Sequence, residues 1–157
     1  MNAYLVVKAL HILSSVLMVG TGFGTAFYLF FTNRTRNVAS IATVARLVVR
    51  ADLWFTTPAV IFQPLSGLWL AHSVGWSWDT PWILLSIVLY VLAGVCWLPV
   101  VWLQAEMAKM AATAHADGAT ALPARYWRYA LWWERLGYPA FIAMVVVYFV
   151  MVLKPAL

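Results

Sequence analysis

Four long apolar runs set the terms on which this chain can fold: 5–31, broken only by Lys8 and His11, then 53–72, 82–103 and 136–153. Each is close to the ~20 residues an α-helix needs to cross a hydrocarbon core about 30 Å thick. Backbone amides find no water at that depth, so each run must satisfy its own hydrogen bonds and is expected to be helical. The expected fold is therefore all-α: one polytopic membrane domain over 1–157, an antiparallel bundle of four transmembrane helices. Composition agrees, with 65% hydrophobic and 10% charged residues, where a soluble domain carries ~25% charged residues. That excludes a soluble enzyme and a disordered tail, and the single Cys96 excludes an intramolecular disulfide framework. The first run is read as a retained helix, because Met1 to Tyr4 offers no basic region and no small-residue cleavage site follows.

Charge placement sets the expected orientation. Arg34, Arg36, Arg46 and Arg50 lie between the first two runs, and Lys109, Arg125 and Arg128 between the last two. Only Lys8 and Lys154 belong to the other side, so seven cations stand against two. The first and third connections are expected in the cytoplasm, with both termini outside. Read this way, the basic residues are topology signals and contacts to anionic lipid, and no nucleic acid is called for. The stretch 38–52 has helical spacing and is expected either to continue the second helix into the cytoplasm or to lie along the interface. The third helix should run past Gln104 to about Thr113, Asp117 and Gly118 should turn the chain, and Pro123 should open the fourth. Trp76, Trp78 and Trp82 read as an interfacial belt around the outer turn.

Function is sought where costly polar groups are kept inside the bilayer. His11 has Lys8, Ser14, Ser15, Met18 and Gly22 on its own helical face, a polar and small-residue stripe that should face protein. Gly20 and Gly24 add a small-xxx-small pair that permits close approach. A neutral imidazole is a good axial ligand for haem iron; equally, His11 can serve as hydrogen-bonding glue between helices. His72 ends the second run on the same side, either as a second iron ligand or as an interfacial residue, while His115 reads as solvated. Glu134 lies about two turns inside the last helix, where an unpaired carboxylate is costly. It is expected either to pair with Arg46 or Arg50, or to act as a proton or substrate site and so as the catalytic residue. Pro58, Pro64, Pro99 and Pro139 can kink their helices.

Several short motifs share one order along the chain: Lys8-Ala-Leu-His11 followed by Gly20, Thr57-Pro58, Gly67-Leu-Trp-Leu70, Glu134 ahead of Pro139, and Lys154-Pro155. In that order the chain resembles a family of uncharacterised bacterial four-helix integral membrane proteins, over nearly its whole length. It is more distantly similar to HemJ-type protoporphyrinogen oxidases and CopD-like membrane domains. The HemJ resemblance implies haem b within the bundle, His11 as its ligand and Glu134 as the matched acidic position. The chain departs from the HemJ pattern in lacking an arginine and a Tyr-His pair over 25–31 and a lysine in the third run. It also has two extra residues before Pro139. The expectation is a membrane-embedded haem-b redox protein that passes electrons to a quinone-type acceptor. Lys8 would steady a propionate, Ser15, Met18 and Gly22 would line the haem site, and His72 or Met18 would face the second side of the iron. The alternative is a membrane subunit or small carrier without haem, holding a quinone- or porphyrin-like molecule or assembling with its own copies through helix 1.

Overall fold

In the computed structural model, which describes residues 2–155, the chain is all-helical. The helices are α1 (Ala3–Thr35), α2 (Val38–Ala51), a π-helical turn (Asp52–Thr56), α3 (Thr57–Ser73), α4 (Pro81–Ala116) and α5 (Ala124–Leu153). Among the described residues, α1, α4 and α5 are each long and apolar enough to cross a membrane. The second apolar run does not stand as one such helix. It is divided at the π turn, leaving α3 with 17 residues. The cause is local: Pro58 has no N–H to give the carbonyl of Trp54, and its ring would crowd that carbonyl in an α-helix. The backbone widens just before it, and Thr57 N–H bonds to Asp52 O, one residue further back than in an α-helix. Even so, α2, the π turn and α3 follow without a break, making one rod over 38–73.

The rod ends are closed by caps and turns. Asn2 caps α1 by accepting from the Tyr4 N–H at 3.0 Å, and Asn37 caps α2 by accepting from Ser40 at 2.9 Å. Arg36 takes a left-handed conformation between those helices. Gly75 and Gly118 make positive-φ turns before α4 and after it, where a Cβ would be strained. Pro81 then sits in the first turn of α4, and Pro123 precedes α5.

Four rods pack antiparallel, with Asn2 and Pro155 at one end, the terminal end, and the arginine-rich connections at the other, the basic end. At the basic end Leu29, Ile41, Ala45, Leu103, Met107, Ala111 and Tyr126 form a continuous buried core joining α1, α2, α4 and α5. A smaller cluster of Trp82, Ile83 and Val150, with Ala71 against it, closes the terminal end. Between them the rods sort into two pairs, α1 on α3 and α4 on α5. The seams between the pairs are thin: α1 and α5 barely touch, and α3 and α4 still less. That splay opens a cavity in the middle of the bundle.

Candidate functional site

The cavity holds about 330 Å³, within the range of small-molecule sites. Three rods each contribute a glycine to it: Gly22 from α1, Gly94 from α4 and Gly137 from α5. A Cβ added at any of the three would meet nothing within 4 Å, so these glycines border free space. Aromatic rings complete the walls, Phe23 stacking on Phe141 across the α1–α5 seam at 5.0 Å and Trp97 standing on α4. The lining is overwhelmingly apolar.

Its base is not. Asp52, at the end of α2 just ahead of the spanning run, is only 4% exposed yet borders the cavity. Thr56, one turn on, donates to Asp52 Oδ1 at 2.8 Å. Gln104 satisfies both its neighbours in one amide orientation, Nε2 donating to Asp52 Oδ2 at 2.8 Å and Oε1 accepting from Trp133 Nε1–H at 3.1 Å. Burial pushes the Asp52 carboxyl above the ordinary carboxylate range, against the two hydrogen bonds, which favour the charged form. Glu134, next to Trp133 in the chain, also borders the cavity. It meets neither Arg46 nor Arg50, the partners expected for it; among the described residues the one ion pair is Lys109–Glu106, 2.7 Å apart on α4.

Higher up, Tyr90 donates to the carbonyl of Val60 at 2.6 Å, crossing the thin α3–α4 seam. That carbonyl is free because its helical partner would be the absent N–H of Pro64. The proline thus creates an acceptor in an apolar setting, and a tyrosine on the opposing rod fills it. Met18 Sδ lies 3.9 Å from the same hydroxyl.

The residues singled out from sequence separate into two groups. Met18, Gly22 and Glu134 border the cavity. His11, Lys8, Ser15 and His72 do not. His11 lies against α3, its Nδ1 2.8 Å from Ser66 Oγ and its Nε2 3.1 Å from Gln63 Nε2. Ser66 donates its proton to the carbonyl of Phe62 at 2.7 Å. Its oxygen therefore accepts from His11 Nδ1–H, and Nε2 accepts from the Gln63 amide: both ring nitrogens of a neutral imidazole are used. Gly67 fits the ring's edge, since a Cβ there would stand 3.1 Å from His11 Cε1. Ser15 bonds the Ile12 carbonyl within its own helix at 2.7 Å. Lys8 is exposed, with its ammonium 6.0 Å from the Tyr4 ring. His72 is exposed too, stacking on Trp78 at 6.4 Å, about 7.5 Å along α3 from Gly67 at 1.5 Å per residue. His11, His72 and Met18 thus occupy three levels of the bundle. As the side chains stand, this donor set does not fit a haem iron: no two candidates face one point, and the His11 lone pair is already engaged. Gly20 and Gly24 meet no other rod.

Sequence reasoning passed over Asp52, Thr56, Gln104, Tyr90 and Trp133. Two signals were present: an acidic residue with a threonine four positions on, just ahead of a proline, and a glutamine closing an apolar run.

A family model described as a predicted integral membrane protein, DUF2269, matches residues 5–155. The chain belongs to that family. Comparison with curated proteins and with solved structures returned no match. The likeness to HemJ-type oxidases and CopD-like domains accordingly rests on the short motifs alone. This DUF2269 protein joins a membrane-spanning architecture to a cavity with a carboxylate at its base.

Proposed function

We propose that this protein binds a lipophilic small molecule inside the bilayer, admitting it sideways between α1 and α5. We infer further that the 38–73 rod also crosses the membrane, giving four spans in a bacterial inner membrane with both termini outside. Eight cations at one end, the seven above together with Arg135, against two at the other support that orientation. Gln104 would then lie at the inner edge of the hydrocarbon, roughly 33 Å along α4 from Trp82 at 1.5 Å per residue. The observation that carries the reading is the set of glycines from three rods bordering one open volume, among aromatic walls. A bundle selected only for packing would fill such a space with side chains.

The test uses protein in lipid nanodiscs and 1-bromo-4-neopentylbenzene, whose bromine quenches indole fluorescence. Saturable quenching is expected, from Trp97 and Trp133 at the cavity. Gly94→Phe and Gly137→Phe, whose rings would occupy the free space, should each remove the saturable component. Quenching that is equal in the wild type and in both filled variants would reject the proposal.

The redox reading is a separate proposal that the same preparation decides. Haem b on His11, with electrons passed to a quinone, requires Gln63 to release the Nε2 lone pair. A Soret band that His11→Ala abolishes would replace the reading above; no such band is expected.

A further inference from the structure

Two carboxylates border the cavity, and among the described residues lining it there is no lysine, arginine or histidine. The other titratable groups facing it are the hydroxyls of Tyr90 and Tyr138. Asp52 is the more telling of the pair. Its neighbours supply two neutral hydrogen bonds, from Thr56 and Gln104, while an ionised carboxylate offers about four lone-pair sites. Among the described residues, no cation stands within 4.0 Å of it to form an ion pair. An isolated buried carboxylate is costly, and Asn at this position would have kept the bond from Thr56 without that cost. The cavity thus pairs apolar and aromatic walls with an uncompensated negative base.

Building on the binding reading above, we propose that the natural guest is a lipophilic cation: an aromatic or aliphatic body against the glycine and aromatic walls, and a positively charged amine or quaternary head against Asp52, with Glu134 beside it. A proton and the cationic head compete for the same carboxylates, so acidification releases the guest.

The test compares two isosteres in the nanodisc quenching assay: (4-bromobenzyl)trimethylammonium, and 1-bromo-4-neopentylbenzene, in which carbon replaces the charged nitrogen. Saturable binding of the ammonium probe is expected at least tenfold tighter than that of the neutral one. Asp52→Asn should cut this preference at least tenfold, and Glu134→Gln should cut it less. Lowering the pH should weaken the ammonium probe alone. If the neutral probe binds saturably and the ammonium probe binds no better, or if Asp52→Asn and Glu134→Gln both leave the preference intact, the charge inference is wrong and the lipophile site stands. If neither probe binds saturably, the binding reading itself fails. Gly94→Phe supplies the blank in every arm.

Discussion

The two ends of this bundle are built on different principles. At the basic end, large side chains from four helices interlock, and Tyr126 is fully buried with its hydroxyl donating to Asn33 Oδ1 at 2.7 Å. Burial pushes the Tyr126 phenol above its ordinary range, as expected for a group that stays protonated there. Toward the middle, helix faces such as Leu13, Val16, Val91 and Leu98 are apolar yet exposed, and the two rod pairs separate. The first region gains stability as a water-soluble domain does, by removing apolar surface from water. The second leaves its apolar surface for lipid, so nothing forces the pairs together there and space can be kept open. The cavity lies where these regimes meet.

The sharpest way to break that contrast uses one residue type on one helix. Leu103 and Leu98 are both on α4, five positions apart, with exposures of 5% and 66%. Leu103→Ala should cost ~2–5 kcal/mol, the usual range for a buried leucine. Leu98→Ala leaves no cavity against protein and should cost well under ~1 kcal/mol, since surface changes are generally small. Unfolding in mixed micelles, followed by tryptophan fluorescence, reads both. Equal losses would mean that the two halves are stabilised alike.

A second prediction concerns the strut between the rod pairs. Tyr90→Phe leaves the Val60 carbonyl with no donor, at a cost of about 1 kcal/mol, near the upper part of what is measured for hydrogen bonds within membranes. Pro64→Ala restores the missing N–H, so the same Tyr90→Phe change should cost less in that background. A double-mutant cycle measures the difference. Strict additivity would show that Tyr90 does not serve the acceptor freed by Pro64.

Much of the architecture could be read from the residues, and the reason is that it is local. Four apolar runs, Asp117, Gly118 and Pro123 mark the rods and their ends through chemistry within a few positions. The stripe of Ser14, Ser15 and Met18 also identified a buried face of α1. What that face meets was not legible. His11 finds Ser66 at a separation of 55 residues, and the Asp52–Gln104–Trp133 network joins three helices. Periodicity says which side of a helix is covered, not which residue covers it. Asp52 was overlooked for a further reason: it falls at the junction of a basic helix and an apolar run, where an acidic residue looks like a solvated boundary.

The His11–Gly67 contact gives the smallest effect and the cleanest sign. Ser66 and Gln63 hold the imidazole from both nitrogens, so the ring cannot easily move the few tenths of an ångström that a Cβ at position 67 would demand. Gly67→Ala should therefore destabilise the protein slightly, although alanine favours a helix interior by up to ~1 kcal/mol over glycine. In a His11→Ala background the obstruction is gone, and the propensity gain remains. There the same Gly67→Ala substitution should stabilise, by a fraction of ~1 kcal/mol. Reversal of sign between the two backgrounds, read as the shift in the unfolding midpoint, is the expected result. A stabilising Gly67→Ala in the wild type would show that the ring has room to yield, and with it a freer His11 than its two hydrogen bonds describe.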